Sequence, residues 1–255
     1  MCQAARLADE HFCDTNIIIG YTVQWSNLSN PVAAYFGCID DCCNVRFSKR
    51  AIEEARSVIQ QHRRVAQQAA RLVFEKYVPS NTYSQLEDIK RFVRSELSNG
   101  HRGPSDSILN GVMVFIEDNE WLFDGFAKIE RSEVFEQDLL EIAKAFEEPL
   151  AFLESLGDDD ISHGEISLFT SCEDDYAFYP EFSNVEPLFP YEALDLNLLF
   201  DAFHFLNQDE CTLVAFVTND HKDFISNREE IEAELEGVCI HTPDEVVEIV
   251  DAESV

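Results

Sequence analysis

The sequence predicts an α/β fold with a central parallel sheet in three layers, joined by a mainly helical insertion. Three observations carry this expectation. Leu213 to Val217 is an unbroken apolar run of strand length, as a central parallel strand covered on both faces requires. A second short strand, His11-Phe12-Cys13, likewise ends at an Asp, with an apolar turn or helix start after it. Residues 104–156 keep helical periodicity throughout.

Taken in order, Asp14 is followed by the segment WSNLSNPVAAYFGCIDDCC, in which Asn30 reads as an N-cap and Pro31 as the first turn of a short helix. Asn44 to Phe47 is a short strand. Ser48 then caps a long helix reaching Tyr77 and broken at Val78-Pro79-Ser80. At about 100° per residue, Ile52, Ala55, Ile59, Ala66, Ala70 and Val73 share the face that packs on the sheet. Glu54 lies at the edge of that face, and Glu53 points elsewhere.

Helical periodicity resumes at Pro104, and residues 157–190 read as a long acidic loop with one short strand near Ile166 to Phe169. The helix from Pro190 to Gln208 carries Asp195 and Asp201. Their separation of six places them on different faces, so only one is expected to point at the strand ends. Val238 to His241 is the last strand, and the helix after Pro243 closes the chain.

The polarity switch after Val217 marks the candidate site. Thr218, Asn219 and Asp220 follow the apolar run at once, and Asp223 comes three residues later. In an open α/β sheet, ligands bind outside the carboxyl ends of the strands. Capping of the next helix by Asn219 or Asp220 is the alternative role for the same residues. The order of motifs adds to this: DTNIII from Asp14, SKRAIEE with Glu54 six residues after Ser48, DAFHF from Asp201, VTNDHKDF from Val217, and CIHTPDEVVEIV near the end.

Together these motifs resemble the PIN-domain nucleases, over roughly residues 10–60 and 192–250. The resemblance implies a PIN-like core over 1–60 and 191–255, with residues 61–190 as a helical and acidic-loop insertion. It implies an endoribonuclease that hydrolyses RNA phosphodiester bonds, with Asp14, Glu54, Asp201 and Asp220 as catalytic metal ligands and Asp223 as an auxiliary. Thr15, Asn16 and Thr218 would support the carboxylates. Oxygen-only ligands favour Mg²⁺ or Mn²⁺ over zinc. The alternative is a catalytically inactive PIN-like module that binds RNA or protein. RNA, an antitoxin or other protein partner, and a second copy of the chain are the partners so implied. Other phosphate chemistry fits less well: a haloacid-dehalogenase-like phosphatase needs Asp where Asn16 stands, and neither a P-loop nor a G-x-G-x-x-G occurs.

Charge sets a further constraint. Fifty acidic residues against 18 basic ones give a net charge of -32, which repels nucleic acid at low salt and keeps a protein soluble in concentrated salt. A salt-adapted, halophilic cytoplasm accounts for it. No apolar run approaches the roughly 20 residues that span a bilayer. Residues 46–102 depart from the average, holding 12 of the 18 basic residues and six acids, a net +6. On the long helix Arg56, Arg63, Arg64 and Arg71 form a stripe that tracks RNA phosphates or simply meets solvent, set away from Glu54 on the helical wheel. Eight cysteines without a C-x2-C pair read as reduced thiols and not as a zinc site.

Overall fold

The computed structural model describes residues 8–23, 29–39, 43–77, 85–99, 103–126, 132–156, 166–171, 176–190, 193–208 and 211–253. The expected break at Val78 to Ser80, the acidic runs Asp158–Asp160 and Glu173–Asp175, and Cys2, Cys42 and Cys172 lie outside these residues. In chain order the elements are β1 (Glu10–Cys13), α1 (Thr15–Thr22), α2 (Ser29–Ile39), β2 (Asn44–Ser48) and α3 (Lys49–Leu72), which continues as a π-helical turn (Val73–Tyr77). Next come α4 (Leu86–Ser98), α5 (Asp106–Asp118), α6 (Glu120–Phe126), α7 (Ser132–Ala145), α8 (Glu147–Leu156) and β3 (Ile166–Phe169). The chain ends with α9 (Phe182–Val185), α10 (Ala193–Gln208), β4 (Val214–Val217), α11 (Arg228–Glu234), β5 (Val238–His241) and α12 (Pro243–Glu253).

All five strands are parallel, in the order β3-β2-β1-β4-β5. The α/β class is therefore as expected. Side chains alternate across β1 and show what covers each face. The buried His11 ring meets the hydroxyl of Tyr35 on α2, Nδ1 to Oη 2.9 Å. The next residue, Phe12, packs its ring 5.3 Å from Phe205 of α10 and 5.3 Å from Phe169 of β3. Helices thus cover both faces and make three layers.

Strand order fixes where a ligand fits. From β1 the chain steps outward to β2 and then β3, and it returns beside β1 with β4. The direction reverses between β1 and β4, and at such a reversal the loops leaving the carboxyl ends part and open a crevice. Asp14 leaves β1 and Thr218 leaves β4 at that point.

Two compact units share the chain. The α/β unit draws on Met1–Thr22, Leu28–Ala55 and Leu153–Val255, and the helical unit on Val23–Asn27 and Arg56–Phe152. The insertion expected over 61–190 is thus shorter at its far end. Strand β3 pairs with β2 from Val45↔Ile166 to Ser48↔Phe169, which ties the chain after Leu153 into the sheet. Helix α2 also begins at Ser29, ahead of the cap expected at Asn30.

Within the helical unit, α3 and α5 approach closely at Gly111. A Cβ there would lie 2.3 Å from Nε2 of the buried His62, whose Nδ1 is 3.0 Å from the Val58 carbonyl. Phe115 packs its ring against Phe123 and Phe146 in the interior of the same unit. A groove of about 440 Å³ along α4 and α5 has its cations already matched: Lys90 lies 3.0 Å from both Glu87 and Glu117, and Arg94 donates to Asn110 at 2.7 Å. Among the described residues no helix is long and apolar enough to cross a membrane.

Two outcomes follow from this packing. Replacing Gly111 by Ala forces the His62 ring aside and should lower unfolding free energy in urea by about 1–3 kcal/mol; an unchanged midpoint would show that the ring yields freely. Burial, together with nearby His241 and against a backbone hydrogen bond with Ala8, lowers the His11 pKa to about 4. The unfolded chain takes up a proton near pH 6.5 that the folded one refuses until about 4, so stability falls as pH drops through that window and levels off below it. The stability gap between the parent and His11→Asn should narrow by about 3 kcal/mol between pH 7 and pH 4.

Candidate active site

At the reversal point Asp14 is buried, 3% exposed, and its carboxylate is held by donors from two loops. Oδ1 accepts the Thr15 N–H at 2.6 Å. Oδ2 accepts the Thr218 hydroxyl at 2.7 Å and the Asn16 amide. The same Asn16 amide lies 3.2 Å from the Thr218 hydroxyl, while Asn16 Oδ1 accepts the Asn219 N–H at 3.0 Å. One asparagine therefore bridges the loop after β1 and the loop after β4. The Thr218 oxygen in turn accepts the Asp220 N–H at 2.9 Å, which brings Asp220 beside Asp14.

Burial pushes the Asp14 carboxyl up to about 7; the Thr218 hydroxyl and the Thr15 N–H oppose this, and the charges of Glu54 and Asp220 add to it. Glu54 reaches the site from α3 through a hydrogen bond from the Thr15 hydroxyl. Helix α3 can deliver it because Ser48, at the end of β2, caps the helix by accepting the Arg50 N–H at 3.2 Å. The expected helix start is thus seen directly, and Glu54 falls six residues beyond the cap on the side facing β1.

Asp220 does two jobs. Its Oδ1 accepts the N–H groups of Lys222 at 2.8 Å and Asp223 at 3.0 Å, which shapes the turn before α11. Asp220 thus closes a turn and does not cap α11, whose N-cap is Asn227 and makes no side-chain cap bond. Asp195, Asp220 and Asp223 each place a carboxylate oxygen within 4.8 Å of the others, an arrangement able to hold a metal ion. Asp223 also pairs with Lys222 at 2.8 Å. Among the described residues, the buried Asn219 amide nitrogen and the buried Asn197 Oδ1 have no hydrogen-bond partner.

Asp201 occupies different surroundings. It is 0% exposed, one oxygen accepts the Ser48 hydroxyl, the other accepts the Tyr176 hydroxyl, and Arg50 Nε lies 3.6 Å from that second oxygen. Burial raises its pKa, opposed by Ser48, Tyr176, Arg50 and His204. The expectation that only one of Asp195 and Asp201 reaches the strand ends needs correction. Six residues of helix put their Cα atoms about 9 Å apart, so Asp195 meets the loop after β4 while Asp201 meets the end of β2. Sequence reasoning set Asp195 aside and missed Tyr176 and Arg50. Arg50 had a signal, since it lies one helical turn before Glu54; Tyr176 had none.

The remaining candidates are placed as follows. His204 has Tyr179 Oη 2.8 Å from Nδ1 and Gln208 Nε2 2.8 Å from Nε2, a hydrogen-bonding role within an aromatic cluster. Arg56, Arg63, Arg64 and Arg71 belong to the helical unit, and Arg64 and Arg71 are exposed. Among the described residues no ion pair includes Arg63, Arg64 or Arg71. Cys13 is a buried free thiol, its Sγ 3.7 Å from Tyr35 Oη.

The burial of Asp14 generates a prediction. Its folded-state pKa is raised, so the unfolded chain ionises near pH 3.8 while the folded one holds its proton to about 7. The resulting cost grows as pH rises through that interval and is complete above it. With a chelator at pH 8, Asp14→Asn should be more stable than the parent by about 1–3 kcal/mol, less than full linkage because an amide loses one acceptor position. At pH 4 the gap should close. A variant less stable at pH 8 than at pH 4, relative to the parent, contradicts this.

Comparison of the chain with family models, with curated proteins and with solved structures returned no match.

Proposed function

We propose that this protein is a divalent-metal-dependent endoribonuclease of the PIN type. The observation that carries the reading is the junction of Asp14 and Asp220 through Thr218, at the strand reversal, with Glu54 coupled to the same carboxylate. Several acids from distant parts of the chain crowd into one rim, and such a group ionises fully only when a cation offsets its charge. The donors are all oxygens, which suits Mg²⁺ or Mn²⁺. Asp195, Asp220 and Asp223 place their oxygens close enough together to hold it, and Asp14 and Glu54, tied to the same rim through Thr218 and Thr15, are proposed to complete the site. When bound, the ion offsets charge on the phosphodiester and activates water for hydrolysis.

The chain's own contribution is positioning. Thr15 orients Glu54, Thr218 orients Asp14, and Asn16 locks the two loops so that the carboxylates keep their spacing. Asp220 Oδ1 is engaged in shaping its turn, which leaves Oδ2 as its ligand atom. RNA as the substrate rests on the resemblance.

Cleavage of labelled single-stranded RNA with Mn²⁺ in concentrated salt tests the reading. The parent should cleave, a chelator should stop it, and Asp14→Asn or Asp220→Asn should lower the rate at least 10³-fold. A parent that leaves RNA intact at every Mn²⁺ concentration points instead to the inactive binding module, and preferential cleavage of single-stranded DNA would reassign the substrate.

A further inference from the structure

Beside Asp201 an aromatic ring stands open to solvent. Phe178 is 56% exposed, and its ring is backed on the protein side by three others. Tyr179 lies 4.6 Å away at an interplanar angle of 36°, Tyr176 6.1 Å away and His204 6.3 Å away. These neighbours are themselves held. Tyr176 is fully buried with its hydroxyl on Asp201, and Tyr179 Oη lies 2.8 Å from Nδ1 of His204, whose Nε2 lies 2.8 Å from Gln208. A ring backed in this way keeps its orientation while more than half of its surface meets solvent.

Tyr176 also ties Phe178 to the carboxyl ends of the strands. Across the Tyr176 ring and its hydrogen bond, the centre of the Phe178 ring is at most roughly 12 Å from the Asp201 carboxylate. Asp201 accepts the Ser48 hydroxyl at the end of β2. Ser48 follows Phe47, the partner of Cys13, and Asp14 follows Cys13, so Ser48 and Asp14 end neighbouring strands about 4.8 Å apart. Along these contacts Phe178 is at most about 25 Å from Asp14. A stacked strand advances about 3.4 Å per phosphate, so about seven nucleotides cover that distance. Surfaces that bind single strands through aromatic rings hold about 4–16 nucleotides.

We infer that Phe178 stacks on a base of the single-stranded RNA that the site cleaves, which rests on the nuclease reading and adds a source of affinity that needs no charge. Fifty acids against 18 basic residues repel phosphates, and concentrated salt weakens whatever phosphate contacts form. Stacking escapes both limits, because every base has a π-face and the contact needs no counter-charge. Phenylalanine offers no donor or acceptor, so the contact accepts any base. A single ring also suits a base better than a protein partner, whose interface core needs several apolar side chains together.

Fluorescence anisotropy of a labelled single-stranded RNA, with a chelator to prevent cleavage and concentrated KCl to screen repulsion, tests this. Phe178→Ala should weaken binding about 5- to 100-fold. Phe178→Tyr should stay within about twofold of the parent, whereas Phe178→Leu, apolar but without a π-face, should lose nearly as much as Ala. The loss should be equal at two KCl concentrations, since stacking is not screened. In a series of oligomers each carrying one abasic ribose, one position should weaken binding to the parent and leave Phe178→Ala unaffected. With Mn²⁺, Phe178→Ala should raise KM by the same factor and keep kcat within threefold. Far-ultraviolet circular dichroism melts check folding, and if Phe178→Ala does not fold, Leu and Tyr at this position carry the comparison. Equal binding by Phe178→Ala and the parent, or the same abasic profile in both, overturns the inference, while cleavage by the parent keeps the nuclease reading. A parent dimer that Phe178→Ala dissociates with RNA affinity unchanged makes the ring a contact between copies and overturns it too. A parent that neither binds nor cleaves RNA removes the nuclease reading, and the inference falls with it.

Discussion

The charge of one buried side chain, Asp14, constrains the rest of the site. A carboxylate taken out of water needs donors of fixed geometry, because each unmet lone pair costs as much as the hydrogen bond it lacks. Those donors come from three places: the backbone at Thr15, the side chain of Asn16, and Thr218 at the end of a strand some two hundred residues later. None of them can move without stranding the carboxylate. Parallel pairing of β1 with β4, from Glu10↔Val214 to Cys13↔Val217, brings the two loops into reach, and the hydrogen bonds then hold them there. Sheet register and site geometry are in this sense one constraint.

The parts of the fold that the sequence displays are those written in local pattern. The apolar run before Thr218 is β4, with all four residues buried, and the four residues Ile166 to Phe169 are β3. The cap at Ser48 and the buried face of α3 at Ile52, Ala55 and Ile59 are equally local. The unit boundary is different. Whether Ile166 belongs to an insertion or to the sheet depends on its pairing with Val45, and no pattern within the segment encodes a partner so far away.

The site divides along the same line. Asp14, Thr218 and Asp220 lie where strands end, so polarity switches reveal them. Asp195 and Asp201 sit on one helix with one composition, and the choice between them depends on what each meets. Asp201 meets Ser48 and Tyr176, and Asp195 meets Asp220 and Asp223. Tyr176 lies on a connection whose path cannot be read from its composition. Its role becomes visible only when the hydroxyl is found against a carboxylate on α10.

Two buried aspartates at one rim also show how differently a charge can be met. Asp201 has a guanidinium and two hydroxyls, so the formal charge has a counter-charge at 3.6 Å. Asp14 has an N–H, an amide and a hydroxyl, and among the described residues no Lys or Arg pairs with it. Dipoles satisfy its lone pairs without neutralising it, and Glu54 and Asp220 push its pKa in the same direction as burial does. Bulk salt does little for such a group: even at 1 M the Debye length of about 3 Å describes screening through solvent, and Asp14 is nearly out of contact with solvent. With its pKa pushed up to about 7, Asp14 takes the missing positive charge as a proton at and below neutral pH. At Asp201, Arg50 already provides it.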